Sequence, residues 1–217
     1  MTAMPERGLY AITDDAAGVG TGLVGAVRAA IEGGAVMIQY RDKSDDDARR
    51  RADASALLEC CRKAGVPLIV NDDITLAAAV GADGVHLGRD DGDVRVARTM
   101  LGPKAIIGVS CYNEPARAIA AQHAGADYVA FGRFFPSGSK PGAVRAEAEM
   151  LRMVRPQLRL PVIAIGGITA SNGGVLLDAG ADLLAVIGAV LGQPDPNAAA
   201  RGFAPLFAPV REHEEAL

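Results

Sequence analysis

The sequence has no tryptophan, and aromatic residues make up only 4% of its 217 residues. Proteins that bind single-stranded nucleic acid stack bases on aromatic side chains, so this scarcity argues against such a role. Cations are not in surplus either, because 22 Lys and Arg residues stand against 26 Asp and Glu residues, for a net charge of −4. Sequence-independent binding to nucleic acid depends on surplus Lys and Arg. We therefore predict that nucleic acid is not a partner.

Cysteine and long apolar runs are also scarce. Three cysteines, Cys60, Cys61 and Cys111, form neither a disulfide framework nor a zinc-ligand spacing, and an odd count is typical of a reducing compartment. The first eight residues lack the apolar stretch of a secretory signal. The richest apolar run, Leu183 to Leu191, is interrupted by Gly188 and is too short to span a bilayer. These absences predict a soluble cytoplasmic protein without membrane contact.

Eight short runs rich in Val, Ile and Leu recur along the whole chain. Most are continuous rather than alternating, which is typical of strands buried on both faces of a parallel sheet. The runs are Leu9–Thr13, Val36–Tyr40, Pro67–Asn71, Gly84–Gly88, Ala105–Ser110, Tyr128–Gly132, Pro161–Gly166 and Leu183–Gly188. Between them lie segments with helical patterns, for example Asp45–Ala64, Asn113–Ala124, Ala146–Arg155 and Ser171–Ala179.

This alternation predicts the fold class α/β, as a single-domain (β/α)8 TIM barrel over residues 8–207. An open doubly wound sheet is the alternative. The termini, residues 1–7 and 208–217, are predicted to be frayed. A Gly-Ala-Asp repeat at residues 81–83, 125–127 and 180–182 ends a helix and opens a strand each time. We interpret its aspartates, Asp83, Asp127 and Asp182, as turn-forming residues at the end of the barrel opposite the active site.

Chemistry in such a barrel is carried by the carboxyl ends of the strands and the loops after them. The residues at those positions are Gln39, Arg41 and Lys43 on strand 2, Asn71, Asp72 and Asp73 on strand 3, His86, Asp90 and Asp91 on strand 4, Ser110 on strand 5, the loop Pro136–Gly142 after strand 6, Gly166 and Gly167 on strand 7, and Ile187 and Gly188 on strand 8. Each has an ordinary structural interpretation. Asp72 could cap a helix, Arg41 and Lys43 could end a strand in solvent, and the glycine pair could form a tight turn.

Together these residues carry more information than each does alone. Lys and Arg match phosphate oxygens, and Mg2+ is held in proteins by one or two carboxylates with substrate phosphates. Glycines after strands 7 and 8 expose backbone N–H groups to a phosphate in many barrels. The residues alone therefore predict two anionic subsites, one for a metal-bridged diphosphate and one for a separate phosphate.

The candidate site holds little acid–base machinery. The sequence shows no clear Ser-His-Asp arrangement, no paired-Glu signature, no lysine inside a predicted strand and no glycine-rich dinucleotide fingerprint. This favours chemistry driven by departure of a metal-bound diphosphate.

Six ordered motifs resemble one known family. They are Gln39-Tyr40-Arg41-Asp42-Lys43, Asn71-Asp72-Asp73, the stretch Gly84 to Asp91, Gly108-Val109-Ser110, Phe135-Pro136 through Lys140, and Ile165-Gly166-Gly167-Ile168-Thr169. In this order they resemble thiamine phosphate synthase, a single-domain (β/α)8 enzyme, over about residues 8–207. The family joins 4-amino-2-methyl-5-hydroxymethylpyrimidine diphosphate to 4-methyl-5-hydroxyethylthiazole phosphate, which gives thiamine phosphate and diphosphate.

The resemblance also implies roles for individual residues. The catalytic set would be Arg41, Lys43, Ser110 and Lys140, and Mg2+ would bind to Asp72 and Asp91. The pyrimidine diphosphate would lie against Gln39, Arg41, Lys43, Asn71, Ser110 and Lys140, and the substrate-binding residues would also include Tyr40 and Asp42. The thiazole phosphate would lie against Ser137, Gly138, Ser139, Gly167, Ile187 and Gly188. The family's reaction is dissociative: diphosphate leaves, a stabilised carbocation forms, and the thiazole nitrogen adds to it.

The chain departs from the family at a few positions. The family commonly has Gln and Glu where this chain has Arg89 and Asp90, and its loop more often has threonines at the positions of Ser137 and Ser139. Two rival functions remain at this point, a thiazole tautomerase or regulatory relative and a non-catalytic phosphate sensor. The sequence leaves open the oligomeric state and whether the 136–142 loop acts as a lid.

Overall fold

Eight parallel strands close into a barrel in sequence order, with the first strand paired to the last. The computed structural model describes residues 2–14, 22–136 and 144–208. The strands are β1 (Gly8–Ile12), β2 (Ala35–Tyr40), β3 (Leu68–Asn71), β4 (Gly84–Leu87), β5 (Ile106–Tyr112), β6 (Tyr128–Phe131), β7 (Val162–Ile165) and β8 (Leu183–Val186). This confirms the predicted (β/α)8 barrel and excludes the open sheet.

Helices connect the strands and form the outer layer. They are α1 (Leu23–Glu32), α2 (Asp47–Ala64), α3 (Ile74–Val80), α4 (Val94–Leu101), α5 (Pro115–Ala124), α6 (Ala148–Val154), α7 (Gly174–Asp178), α8 (Pro196–Arg201) and α9 (Ala204–Phe207), with a 3-10 turn at Arg155–Gln157. Three of them end at Gly65, Gly81 and Gly125, which have left-handed backbones that glycine adopts without a steric penalty.

The strands bury both faces, as their continuous apolar runs predict. Tyr10 and Ile12 of β1 point into the barrel, where they pack with Met37 and Ile163, while Leu9 and Ala11 point outward against the helices. Successive side chains of a strand alternate between its faces, so each strand supplies both cores. The outer core includes residues of helices α1 to α8 as well as of the strands, whereas the buried residues of the inner core all belong to strands.

The repeated aspartates are structural, but they act on a neighbouring strand. Oδ2 of Asp83, which precedes β4, accepts from the N–H of Leu68 at the start of β3. Oδ2 of Asp127 accepts in the same way from Ile107 of β5, and Oδ2 of Asp182 from Val162 of β7. Each carboxylate thus joins two adjacent strands at the amino-terminal end of the barrel, opposite the cavity described below.

Residues 2–7, predicted to be frayed, lie against this amino-terminal end. The Thr2 N–H donates to Asp83 Oδ1 at 2.7 Å, and Met4 packs against the inner core. The guanidinium of Arg7 lies 6.0 Å from the centre of the Phe207 ring. The predicted frayed segment at the other terminus falls outside the described residues from 209 onward. No helix in the described ranges is long and apolar enough to cross a membrane.

Candidate active site

A cavity of about 240 Å³ opens at the carboxyl ends of the strands. Every strand or the residues just after it contributes to its wall. The lining includes Tyr10 and Ile12 from β1, Gln39, Arg41 and Lys43 from β2 and beyond, Asn71 and Asp72 from β3, His86, Gly88 and Asp91 from β4, Ser110 and Tyr112 from β5, Gly132 and Arg133 after β6, Ile165 and Gly166 from β7, and Ile187 after β8. The walls are apolar near the barrel core and charged at the rim.

Alternation along the end of β2 separates its residues into two groups. Gln39, Arg41 and Lys43 face the cavity. Tyr40 and Asp42 are not on its wall; they line a neighbouring cavity of about 440 Å³ beside α2, which Arg41 and Lys43 also border. The Asp42 carboxylate accepts from the Tyr40 hydroxyl at 3.3 Å, from Arg49 at 2.9 Å and from the Ser44 N–H at 2.7 Å. Asp42 is therefore bound to protein groups of its own loop and of α2.

Two carboxylates lie close together at the rim of the 240 Å³ cavity. Asp72 follows β3 and Asp91 follows β4, and these adjacent strands bring the two side chains within hydrogen-bonding distance of each other. Lys43 Nζ donates to Asp72, and the Gly88 N–H donates to Asp91 Oδ2 at 2.9 Å. One cluster of charged side chains is thus formed by Lys43, Asp72 and Asp91; we call it the charged cluster.

The two acids have opposite electrostatic environments. Burial opposes ionisation of Asp72, but hydrogen bonds, first from Lys43, lower the pKa of that carboxyl group below its ordinary value. Burial and the neighbouring Asp72 raise the pKa of Asp91. Like charges this close favour a shared proton or a bound cation between them.

The donor set fits Mg2+ on chemical grounds. Within the ranges that the structure describes, no three His, Cys, Asp or Glu side chains gather as a complete metal cage. Mg2+ uses one or two protein carboxylates and completes its shell with water and substrate phosphates. Asp72 and Asp91 would hold it, and a bound phosphate would supply further oxygens.

Asp72 itself does not cap α3, as its ordinary structural interpretation would require. The side chain of the next residue, Asp73, accepts from the Leu76 N–H at 2.8 Å and from Arg50 at 2.8 Å. Asp72 has a φ of 64°, in a left-handed region that non-glycine residues visit infrequently. Strained backbone of this kind clusters at functional sites, where the surrounding structure holds it in place.

Arg89, a departure from the family pattern, is paired with Glu114. Its guanidinium donates to Glu114 at 2.5 Å and lies 5.1 Å from the centre of the Tyr112 ring. Tyr112 lines the cavity and has a φ of 55° at a register shift between β5 and β6. Arg89 therefore supports the aromatic rim of the cavity at Tyr112.

Sequence reasoning overlooked several lining residues. Tyr10 and Tyr112 line the cavity, and Tyr128 lies directly beneath it in contact with His86. Arg133 follows β6 and adds a cation on the side away from the two acids. Tyr10 and Tyr128 could have been found, because both occupy inward positions of predicted strands. The sequence contains no comparable indication that Arg133 lines the cavity.

The predicted phosphate subsite is only partly within the described residues. Gly166 and Ile187 line the cavity, whereas their neighbours Gly167 and Gly188 are not on its wall. A Cβ atom at Gly167 would overlap the backbone oxygens of Phe135 and Pro136, so this turn packs tightly against the chain after β6. Ser137, Gly138, Ser139 and Lys140 lie outside the described residues.

The cysteines lie away from the cavity wall. Cys111 is buried on the outward side of β5, and burial raises the pKa of its thiol to about 12. Cys60 and Cys61 belong to α2 in the outer layer. A thiol that remains protonated near neutral pH is a poor nucleophile.

Comparison with known proteins identifies the family. A family model described as thiamine monophosphate synthase matches residues 9–190. The chain belongs to the thiamine monophosphate synthase family. It is 53% identical to the thiamine-phosphate synthase of Thiobacillus denitrificans over 201 residues, which cover 93% of this chain and 95% of that protein. It is 51% identical to that of Methylococcus capsulatus over 203 residues, with 94% and 90% covered.

A solved structure supports the same assignment. Thiamine phosphate pyrophosphorylase from Pyrococcus furiosus superposes with a TM-score of 0.82 at 35% sequence identity, covering 93% of this chain and 95% of that one. Both the resemblance found in the motifs and the barrel are thereby confirmed. Of the signature residues, Gln39, Arg41, Lys43, Asn71 and Ser110 line one cavity together with both acids.

Proposed function

We propose that the protein joins 4-amino-2-methyl-5-hydroxymethylpyrimidine diphosphate to 4-methyl-5-hydroxyethylthiazole phosphate, giving thiamine phosphate and diphosphate. Family membership supports this activity. The observation that carries it is the charged cluster of Lys43, Asp72 and Asp91 at the rim of a cavity that Arg41 and Asn71 also line. Cations and carboxylates at one rim are what a metal-bridged diphosphate requires.

The diphosphate subsite lies at the ends of β2 to β5. Arg41 and Lys43 supply positive charge there, Asn71 supplies an amide and Ser110 a hydroxyl. Mg2+ bound to Asp72 and Asp91 would neutralise negative charge on the diphosphate oxygens. Gln39 lies deeper on the same strand as Arg41, where its side chain can meet the aminopyrimidine ring while the diphosphate remains at the rim.

In the bond change, the carbon–oxygen bond between the pyrimidine methylene group and the diphosphate breaks. The electron pair stays with the diphosphate oxygen, and the methylene carbon becomes a carbocation stabilised by the aminopyrimidine. The thiazole nitrogen then gives its lone pair to that carbon, forming the new carbon–nitrogen bond. No proton needs to move, so the lack of a predicted catalytic base agrees with the mechanism. Arg41, Lys43 and Ser110 would stabilise charge on the departing group, as would Lys140.

The second substrate is proposed to bind across the cavity from the two acids. Ile165 and Ile187 offer an apolar wall for a thiazole ring, and Gly166 begins the tight turn after β7. The phosphate would lie near Gly167 and Gly188 and against Ser137, Gly138 and Ser139. In this arrangement the thiazole nitrogen would lie on the side opposite the departing diphosphate.

The direct test mixes purified protein with both substrates and Mg2+ and follows thiamine phosphate by mass spectrometry. We expect product only when both substrates and the metal ion are present. Reactions that omit one substrate, or that contain a chelator, are the controls. A folded protein that forms no thiamine phosphate would contradict the proposal, and binding of both ligands without product would favour a phosphate sensor.

A further inference from the structure

A chain of hydrogen bonds crosses the inside of the barrel beneath the cavity. Gln39 Nε2 donates to the Tyr10 hydroxyl at 2.7 Å, and the hydroxyl groups of Tyr10 and Tyr128 are 3.1 Å apart. The Tyr128 hydroxyl lies 2.9 Å from His86 Nδ1, and His86 Nε2 lies 2.8 Å from Ser110 Oγ. We call these five residues the core chain. Of the five, only Tyr128 is not on the cavity wall, and the two ends of the core chain are Gln39 and Ser110.

The middle of the core chain is shielded from solvent and tightly packed. The Tyr10 and Tyr128 side chains are 1% and 0% exposed. The rings of His86 and Tyr128 are stacked, with centres 5.5 Å apart and planes inclined by 16°. A Cβ atom at Gly108 would overlap the Tyr128 ring, so the ring occupies the space that a side chain at residue 108 would need. The rings therefore have little freedom to reorient.

Each tyrosine hydroxyl of the core chain carries one proton. Burial raises the pKa of Tyr10 and that of Tyr128 well above their ordinary value, so neither ionises near neutral pH. A phenol hydroxyl donates a single hydrogen bond and can accept others. Where every buried hydroxyl proton is donated, a hydroxyl that accepts from one neighbour donates to the other, and the hydrogen bonds of the chain run in one direction.

The direction is determined at Gln39, because an amide nitrogen only donates. Tyr10 accepts from it, and the buried proton of Tyr10 is satisfied when it is donated to the Tyr128 oxygen. Tyr128 in turn donates to His86 Nδ1, which must then be the unprotonated ring nitrogen. The ring proton is on Nε2 and is donated to Ser110 Oγ. Since Ser110 accepts from His86, its own hydroxyl proton is left to point into the cavity.

We propose that Tyr10 and Tyr128 are positioning residues that act through His86 to hold Ser110 as a hydrogen-bond donor toward the diphosphate. The inference rests on the proposed function, which places the diphosphate against Ser110. A donor oriented before the reaction stabilises charge on the departing oxygen without reorganising at that moment. A serine with a freely rotating hydroxyl, or one donating to His86, would lack this advantage.

The tautomer of His86 tests the proposed direction without relying on turnover. The chain has three histidines, so nitrogen-15 NMR of histidine-labelled protein, recorded at a pH where the ring is neutral, needs only the His86→Gln variant for assignment. We expect a pyrrole-type signal from His86 Nε2 and a pyridine-type signal from Nδ1. Tyr128→Phe removes the donor to Nδ1 and should shift the ring toward a mixture of tautomers. A proton on Nδ1 in the wild-type protein would overturn the proposal.

Binding of Mg2+ and inorganic diphosphate, measured by calorimetry, tests the coupling to Ser110. We expect Ser110→Ala and Tyr128→Phe each to weaken binding about five- to thirtyfold, and the double variant to bind no more weakly than Ser110→Ala. Independent, multiplying losses would show that Tyr128 does not act through Ser110. Cys111→Ala is the matched control, because it changes a buried neighbour of Ser110 on the opposite face of β5 and should leave binding unchanged.

The two measurements separate this inference from the proposed function. A wild-type protein that makes no thiamine phosphate, but shows the expected His86 tautomer and non-additive diphosphate binding, contradicts the proposed function alone. An active enzyme with the opposite His86 tautomer, or with additive losses of diphosphate affinity, contradicts only the proposed role of the core chain. If Tyr128→Phe does not fold, Tyr10→Phe removes the preceding donor and is tested in the same way.

Discussion

Electrostatic repulsion within the site is clearest between the carboxylates of Asp72 and Asp91. Their side chains contact each other, and the pKa of Asp91 is raised by burial and by its neighbour. Replacing either carboxylate by an amide removes negative charge from the cluster while keeping an oxygen acceptor. Asparagine also tolerates the left-handed backbone of Asp72, so Asp72→Asn is a milder change than alanine.

We predict that Asp72→Asn and Asp91→Asn each lower the apparent Mg2+ affinity in the coupling assay at least tenfold. Asp91→Asn should not lower the melting temperature of the metal-free protein, since it relieves repulsion between two carboxylates. The control is Asp90→Asn, because Asp90 is an exposed neighbour of Asp91. Unchanged Mg2+ dependence in both variants would exclude these acids as the metal ligands.

Arg133 is the cation on the opposite side of the cavity. A Cβ atom at Gly166 would overlap Arg133, so this arginine lies directly against the turn after β7. We predict that Arg133→Ala raises KM for the thiazole phosphate about 10- to 100-fold, with a smaller effect on KM for the pyrimidine diphosphate. Arg152→Ala, on the exposed side of α6, is the control. A larger effect on the pyrimidine substrate would place Arg133 in the other subsite.

At the scale of the elements, the repeated aspartates connect neighbouring strands where the barrel has no cavity. Asp83 is buried and accepts from two backbone N–H groups, those of Thr2 and Leu68. Buried N–H groups that lose their acceptors destabilise a fold by about 1–3 kcal/mol. Loss of these hydrogen bonds should lower stability without changing turnover, because they lie at the opposite end of the barrel from the charged cluster.

We predict that Asp83→Ala lowers the free energy of unfolding by about 1–3 kcal/mol while kcat changes less than twofold. Urea denaturation and steady-state kinetics on the same preparation measure both quantities. Asp178→Ala, at the exposed end of α7, should change neither. A large loss of kcat in a folded Asp83→Ala protein would connect the two ends of the barrel in a way that the hydrogen bonds do not indicate.

Strand ends also determine which side chains meet. Arg117 of α5 donates to the backbone oxygens of Ser110 at 2.7 Å and Gly88 at 3.0 Å. It thereby joins the ends of β4 and β5, which carry Asp91 and Ser110 into the cavity. A helix of the outer layer thus supports the rim of the cavity through hydrogen bonds to the backbone.

At the scale of the whole molecule, the barrel could be predicted from the sequence because local pattern and overall topology agree. Runs such as Val36–Tyr40 are continuous and apolar, and eight of them alternating with helical segments are typical of parallel strands buried on both faces. The strand ends then placed Gln39, Arg41 and Lys43 on one side by simple alternation, and the structure shows all three on the cavity wall.

What could not be predicted depends on register and on partners distant in the chain. The inward position of Tyr128 could be predicted, but its contact with His86, 42 residues away, could not, and the partner of Arg89 is Glu114, 25 residues away. No local signal distinguishes these contacts from others. The separation of Tyr40 and Asp42 from the cavity follows the same alternation that predicted their neighbours, but the family signature groups all five residues together.

The most direct measurement of how the site works is the single-turnover rate of diphosphate release with both substrates and Mg2+ bound. Because the positive charge of Lys43 would stabilise the negative charge on the departing diphosphate, we predict that Lys43→Ala slows this step about 100-fold or more. Lys63→Ala should retain the wild-type rate, because Lys63 is paired with Glu59 on the exposed face of α2. A wild-type rate in Lys43→Ala would contradict the assignment of this rim to the departing diphosphate.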